Sequence, residues 1–242
     1  MKQRTDEWVN VSQKDYHTRQ LEAPYRSTVK FCDWMDGLRL IRQEPSLEIL
    51  DVGAGSGANL HYLSDRYPGH GLLGAELNGD LVSDANARFQ ELDLKCQIEQ
   101  ADLYNFSKDY VDRFDGIVCL QTLSWLPGYE EAIDSMLSLR PQWIALSSLF
   151  FDGELNCTVK VEDGQNDREC FYNIYSLSSL QDHCKSRGYG TLTWEPFVID
   201  VDLPISNPRG LGAYTKELVS GNRLQFSGPL SMPWYFVCIR PS

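Results

Sequence analysis

The residues best suited to do chemistry lie in one glycine-rich segment. Residues 51–57 read Asp-Val-Gly-Ala-Gly-Ser-Gly, after an apolar run and before a helix-forming run. Glycines let a backbone turn sharply and approach a ligand closely, and the N–H groups that open a helix attract polar ligand groups. Asp51 can attract a cation or orient amides from the end of the preceding strand. The segment therefore predicts a cofactor-binding turn.

Two more acids follow later predicted strands. Glu76 closes the second strand, where a carboxylate can accept both hydroxyls of a ribose. Asp102 follows the third strand, where it can also simply cap a turn. A nicotinamide enzyme would use an acid like Glu76 in the same way, so that residue alone does not decide the cofactor. The turn's GxGxG spacing differs from the GxGxxG of dinucleotide-binding turns.

These features, in this order, resemble motif I and the following strands of class I S-adenosylmethionine (SAM) methyltransferases. The resemblance covers residues 47–150 and implies SAM as cofactor and S-adenosylhomocysteine as product. It implies that Asp102 meets the adenine amino group and that Leu103 packs on the ring. The candidate cofactor-binding residues are Asp51, Gly53, Ala54, Gly55, Glu76, Leu77, Asp102, Leu103 and Gln121.

The hydrophobic pattern predicts an α/β chain with one domain over residues 1–242. Residues 1–44 are expected to form a helical lid, with a helix over 6–20 and another from Pro24 to Pro45. Residues 45–150 alternate between strands and helices, which implies a parallel sheet. The predicted strands are Leu47–Val52, Gly71–Ala75, Lys95–Gln100, Phe114–Leu120 and Trp143–Phe150. The predicted helices between them are Ser56–Tyr67, Asp80–Leu92 and Tyr129–Leu139.

Residues 151–242 are predicted to form an antiparallel half on the substrate side. A β-hairpin of Leu155–Val161 and Arg168–Tyr175 is expected to follow the fifth strand, and Ser176 to cap a helix ending near Gly188. Further strands are predicted at Thr191–Ile199, Ala213–Val219, Arg223–Ser227 and Trp234–Ile239. With the parallel half, they predict a Rossmann-like seven-stranded methyltransferase sheet carrying extra antiparallel β-hairpins. For the 155–175 hairpin and the strands at 213–227, a role in shaping the substrate side and a purely structural or dimer-forming role are both open.

Candidate residues for the acceptor side come mainly from the predicted lid. His17 and Tyr16 are the candidate catalytic residues, because a hydroxyl acceptor needs a general base. The candidate substrate-binding residues are Tyr25, Arg26, Trp125 and Arg209. Ordinary helix packing remains the alternative for the residues of the 16–28 segment, and solvent exposure remains the alternative for His17 and Arg209. The two arginines suit a carboxylate or phosphate, and the aromatic faces suit a methylated ammonium.

Composition limits the classes of partner. The 22 Lys and Arg against 34 Asp and Glu give a net charge of −12, which disfavours nucleic acids and anionic membranes. The seven cysteines form no CxxC pair, which is typical of reduced thiols in a cytoplasmic protein without a metal site. The N-terminal residues form no apolar signal segment, and no apolar run is long enough to span a membrane. A small molecule is the expected partner, and a monomer and a homodimer are both open.

The sequence therefore predicts a SAM-dependent methyltransferase that acts on a nitrogen or oxygen atom of a small polar metabolite. A phosphorylated amine such as phosphoethanolamine and a sugar or nucleotide sugar are the expected acceptor classes. One alternative is an NAD(P)-dependent Rossmann oxidoreductase. The other is a non-catalytic SAM-binding regulatory module.

Overall fold

The computed structural model describes residues 24–164, 168–205, 207 and 209–242. The helix predicted over residues 6–20, with Tyr16 and His17, lies outside the described residues. The predicted α/β class is confirmed: the chain forms a mostly parallel sheet with helices around it and antiparallel additions.

The parallel half consists of five strands connected by helices. The strands are β1 (Glu48–Val52), β2 (Gly71–Glu76), β3 (Gln97–Gln100), β4 (Gly116–Leu120) and β5 (Trp143–Phe151). The helices are α1 (Arg26–Gly37), α2 (Ala58–Arg66), α3 (Gly79–Glu91) and α4 (Glu130–Ser138). Strands β1, β4 and β5 read as nearly continuous apolar runs because helices cover both faces of the sheet.

The sheet has the order β3-β2-β1-β4-β5, followed by β13 (Trp234–Arg240) and then β9 (Thr191–Phe197). Strand β13 runs antiparallel between β5 and β9, and the short β8 (Tyr175–Ser176) pairs with the end of β5. Helix α5 (Leu177–Lys185) follows β8, and the Ser176 hydroxyl accepts from the Ser179 N–H, as the predicted cap requires. The predicted seven-stranded path is thus present, with β8 as an eighth strand beside it.

Two small antiparallel sheets complete the second half. Strands β6 (Lys160–Asp163) and β7 (Arg168–Phe171) form the predicted hairpin. Strands β10 (Ala213–Glu217), β11 (Arg223–Ser227) and β12 (Leu230–Ser231) form a second sheet. Apolar side chains from both halves pack in one cluster at this end, among them Leu149, Cys170, Tyr172, Met232 and Trp234. This cluster attaches the added strands to the ends of β5 and β13.

Helix α1 is shorter than its apolar spacing predicts. It ends at Gly37, and Arg39 follows with a φ of +55°. The N–H of Leu40 donates to the Met35 carbonyl at 3.1 Å and that of Arg39 to Asp36 at 2.9 Å, which is the Schellman arrangement. Leu40 is buried against the same cluster as Met35. The prediction that the helix continues to Pro45 was wrong because this apolar contact ends it earlier.

In the part of the chain that the structure describes, no helix combines the length and the apolar character needed to cross a bilayer.

Candidate functional site

The glycine-rich turn connects β1 to α2 at the carboxyl edge of the sheet. Gly53 has a φ of +74°, and Gly57, the N-cap of α2, has a φ of +78°. The N–H groups of Gly53 and Ala54 donate to the Ala75 carbonyl at 2.9 and 3.1 Å, which fastens the turn to β2. A Cβ atom added at Gly53 would lie 2.4 Å from Oγ1 of Thr122. The turn is therefore pressed against the loop after β4, and only glycine fits there.

Asp51 lies beneath this turn at the end of β1. Its side chain is 2% exposed, and neither carboxylate oxygen has a hydrogen-bond partner among the described residues. Burial, and secondly the nearby charge of Glu76, raise the pKa of Asp51 to about 7. A buried carboxylate without a donor is costly, and a cationic or N–H-bearing ligand group would satisfy it. Asp51 thus has the properties of a ligand contact.

Glu76 closes β2 and is half-buried beside the turn. Its Oε2 accepts from the Gly55 N–H at 2.9 Å, and its Oε1 accepts from the Asn78 N–H at 2.9 Å. An ionised carboxylate has about four acceptor positions, so these two bonds leave capacity for ribose hydroxyls. The structure also shows a role that the sequence did not reveal: Glu76 holds the glycine-rich turn in place.

The residues after β2 and β3 form the neighbouring edge. The Leu77 carbonyl accepts from Gln100 Nε2 at 3.0 Å. Asp102 is exposed, and its Oδ1 accepts from the Tyr104 N–H at 2.9 Å, which makes it a turn cap. Leu103 is half-buried against the main core. Adenine contacts by Asp102 and Leu103 remain predictions.

Gln121 connects the end of β4 to the lid helix. Its φ is +56°, its N–H donates to the Ser147 carbonyl at 2.7 Å, and its Nε2 donates to Ser27 Oγ at 3.1 Å. The adjacent Thr28 hydroxyl donates to Asn59 Oδ1, at the start of α2, at 2.9 Å. The first turn of α1 therefore touches both the helix after the glycine-rich turn and the loop after β4.

The four candidate substrate-binding residues lie in different surroundings. Trp125 is half-buried, with its ring centroid 4.0 Å from that of Tyr172 in an edge-to-face pair. Tyr25 is the N-cap residue of α1, and the exposed Arg26 beside it forms an ion pair with Asp200 at 2.5 Å. Arg209 lies in an exposed loop. Substrate contacts by these four residues remain predictions.

Sequence reasoning missed the polar side chains that shape this edge. They come from several elements: Ser27, Asn59, Thr122, Ser148 and Asn173. Thr122 and Ser148 have no distinctive spacing, and their roles depend on contacts between strands that are distant in sequence. Ser27 and Thr122 lie beside the candidate residues Arg26 and Gln121, but neither was itself predicted to be part of the site.

Comparison with known proteins places this geometry in a family. A family model described as a methyltransferase domain matches residues 49–141, which include the turn, Asp51, Glu76 and Gln121. Residues 49–141 therefore match a methyltransferase domain, consistent with the class I, SAM-dependent type. The enzyme class and the SAM cofactor predicted from the sequence are thereby confirmed at the level of the family. No curated protein matches the chain.

Solved structures share the fold of this methyltransferase at low sequence identity. The Burkholderia thailandensis 1,6-didemethyltoxoflavin-N1-methyltransferase, with bound S-adenosylhomocysteine, is 13% identical at a TM-score of 0.56. The alignment covers 96% of this chain and 83% of that one. The magnesium protoporphyrin IX methyltransferase of Synechocystis, with bound SAM, is 16% identical at a TM-score of 0.55, with 97% and 86% covered. At these identities the likeness establishes the fold alone.

Glu76→Ala is expected to weaken binding of S-adenosylhomocysteine by roughly 1–3 kcal/mol, because it removes a charged acceptor and releases the Gly55 N–H. Calorimetric titration measures this change. Glu99→Ala is the matched control, since Glu99 lies on the adjacent β3 and accepts from the Tyr110 hydroxyl instead. Wild-type affinity in a folded Glu76→Ala variant would place the ribose elsewhere.

Proposed function

We propose that this methyltransferase transfers a methyl group from SAM to a nitrogen or oxygen atom of a small polar molecule. The expected acceptors are a phosphorylated amine, such as phosphoethanolamine, or a sugar or nucleotide sugar. The observation that carries the methyl-transfer part is the buried carboxylate of Asp51, which has no hydrogen-bond partner among the described residues and lies under a glycine turn that Glu76 holds in place. The net charge of −12 supports a small molecule over a nucleic acid.

The residues at the carboxyl edge fit the cofactor's chemistry. Bound SAM supplies an activated methyl group on a sulfonium ion and also carries an ammonium group and a ribose. Asp51 offers a buried negative charge for the cationic end, and Glu76 offers acceptors for the ribose hydroxyls. Glycine at position 53 lets the turn lie against Thr122, because a Cβ atom there would clash with that side chain. The protein's part in the reaction is mainly to align the reactants, which can lower the barrier by about 7–11 kcal/mol.

The acceptor side is formed by the loop after β4 and the first turn of α1. The hydrogen bond from Gln121 to Ser27 joins these two segments, so the acceptor is expected to bind beside this junction. An amine acceptor only needs to lose its proton. A hydroxyl acceptor needs a general base worth about 10²–10⁴-fold, and Tyr16 and His17 are proposed for that role.

The ion pair between Arg26 and Asp200 gives a test for a phosphorylated acceptor. Both side chains are exposed, and the Arg26 guanidinium lowers the pKa of Asp200. If Arg26 binds a phosphate, it must exchange Asp200 for the acceptor. We therefore expect Asp200→Asn to lower the KM for phosphoethanolamine by a few-fold, and Arg26→Gln to raise it, in steady-state assays at low salt.

Asp202→Asn is the matched control for this test. Asp202 lies two residues away and pairs with Arg223 at 2.9 Å, so its removal changes the net charge equally without releasing Arg26. An unchanged KM for phosphoethanolamine in both Arg26→Gln and Asp200→Asn would exclude Arg26 from the acceptor site.

An acceptor screen with methyl-labelled SAM tests the proposed function. The screen contains phosphoethanolamine, nucleotide sugars and, because of the Burkholderia neighbour, the planar heterocycle 1,6-didemethyltoxoflavin. Labelled phosphoethanolamine or labelled sugar confirms the proposal. Label on the heterocycle alone would overturn the proposed acceptor class. Binding of S-adenosylhomocysteine without turnover of any acceptor would favour the non-catalytic alternative.

A further inference from the structure

A fully buried amide, Asn173, joins the β6–β7 hairpin to the loop after β4. Its side chain is 0% exposed. Nδ2 donates to the Leu126 carbonyl at 2.8 Å, and Oδ1 accepts from the Val159 N–H at 2.9 Å. Its backbone N–H donates to the Ser124 carbonyl at 2.9 Å. One residue thus binds both the start of the hairpin and two positions of the loop.

Tyr175 strengthens the same connection. Its hydroxyl accepts from Asn173 Nδ2 at 3.2 Å and donates to the Leu126 carbonyl at 3.1 Å. Burial raises the pKa of Tyr175 to about 12, so the hydroxyl remains a donor at neutral pH. The Asn173 and Tyr175 side chains form a small buried hydrogen-bond network whose acceptors are loop carbonyls.

The other side of the loop is held by β5. Ser124 is buried; its hydroxyl is paired with that of Ser148 and accepts from the Leu149 N–H at 2.8 Å. Its N–H donates to Ser148 Oγ at 3.0 Å. Ser124 is therefore fixed by β5 on one side and by Asn173 on the other. Its neighbour Trp125 is directed toward Tyr172, the residue before Asn173.

We propose that Asn173 is a positioning residue for the methyl acceptor, acting through residues 124–126, the part of the loop that carries Trp125. The inference rests on the proposed function, since it assigns the hairpin to the acceptor half of that site. Among the described residues, the hydrogen bonds of Asn173 reach this loop and the hairpin, and none joins it to the glycine-rich turn or to Glu76. Asn173 therefore sets the acceptor geometry, and the affinity for the cofactor depends on the turn and Glu76.

An amide is the side chain that this position requires. It must donate to one carbonyl and accept from one N–H, and asparagine does both within the same length. A carboxylate would turn an oxygen toward the Leu126 carbonyl, and Pro127 presents a second carbonyl at 3.5 Å. Alanine would leave the Val159 N–H and the Leu126 carbonyl buried without this partner.

The test compares Asn173→Asp with Asn86→Asp. Asn86 is a matched control because its side-chain amide also donates to and accepts from backbone. It bonds the carbonyl and the N–H of Ile98 at 2.8 and 2.9 Å, on the edge strand β3. For the acceptor that gives turnover in the screen, we expect Asn173→Asp to lower kcat/KM at least about tenfold. The dissociation constant of S-adenosylhomocysteine should stay at the wild-type value. Asn86→Asp should leave acceptor kcat/KM unchanged.

A second variant and hydrogen exchange test the role of Asn173 independently. If Asn173→Asp does not fold, Asn173→Ala is used in the same assays. Hydrogen exchange at the Ser124, Trp125 and Leu126 amides, which needs no acceptor, should be faster in the Asn173 variant than in wild type and in Asn86→Asp. Unchanged exchange, or equal losses of acceptor kcat/KM and S-adenosylhomocysteine affinity, would overturn the role of Asn173. Lack of turnover by the wild type would count against the proposed function alone.

Discussion

Gly53→Ala is expected to raise the dissociation constant of S-adenosylhomocysteine at least tenfold. The new Cβ atom would lie 2.4 Å from Thr122 Oγ1 and 2.9 Å from its Cγ2, at a φ of +74°. Overpacking of this kind costs about 1–3 kcal/mol, and a left-handed φ costs a residue with a Cβ about 1–2 kcal/mol more. The turn or the Thr122 side chain must shift to relieve the contact, and a shift of the turn moves backbone that we propose faces the cofactor. Calorimetric titration measures the change.

The chain provides a matched control and a rescue for this variant. Gly69 has a φ of +98°, but an added Cβ meets nothing within 4 Å, so Gly69→Ala imposes strain without a clash and far from the turn. It should keep wild-type affinity. Thr122→Ala in the Gly53→Ala background removes the two closest atoms and should restore part of the affinity, as coupled neighbours do. A folded Gly53→Ala variant with wild-type affinity would contradict the assignment of the turn.

Asp51→Asn is expected to change stability and binding in opposite directions. The pKa of Asp51 is about 7 in the folded chain, because of burial and then Glu76, against an ordinary value of 3.8. Between these two pH values the folded state holds a proton that the unfolded state has lost, so the free energy of unfolding decreases as pH rises through this window. Above pH 7 the cost of the buried charge is complete, up to about 4 kcal/mol.

The asparagine variant lacks this cost. The free energy of unfolding of the variant minus that of the wild type should therefore increase between pH 5 and pH 8. Urea denaturation without ligand measures this difference. Its affinity for S-adenosylhomocysteine should fall by roughly 1–3 kcal/mol, because the charged acceptor is lost. Asp84→Asn, which removes an exposed carboxylate from α3, is the control for net charge. A stability difference that does not change with pH would show that Asp51 is paired or solvated.

The parallel half was predicted closely because local signals agree there. Buried strands such as β1 and β4 are apolar runs, and the glycine turn marks the start of α2. The contact between Gly53 and Thr122 was not predictable, since it joins residues far apart in sequence. The end of α1 was misplaced because Leu38 and Ile41 continue the helical spacing beyond Gly37. There the packing of Leu40 with Met35 overrides the spacing.

The candidate site was predictable where chemistry and position coincide. Asp51, Glu76 and Gln121 each end a strand of the parallel sheet, and such strand ends meet at one edge. The second role of Glu76, as acceptor for the Gly55 N–H, depends on the fold of the turn. Asn173 carried no signal, because an asparagine in a hairpin usually indicates a turn. Only the docking of the hairpin on the loop after β4 shows that it is a buried connector.

Cofactor identity is tested most directly by calorimetric titration of the purified chain with SAM, S-adenosylhomocysteine and NADH in parallel. We expect the first two to bind with micromolar affinity, NADH not to bind, and Gly53→Ala to weaken the binding of both SAM and S-adenosylhomocysteine. Binding of NADH alone would contradict the assignment of SAM as cofactor and would make Glu76 the ribose ligand of a nicotinamide enzyme.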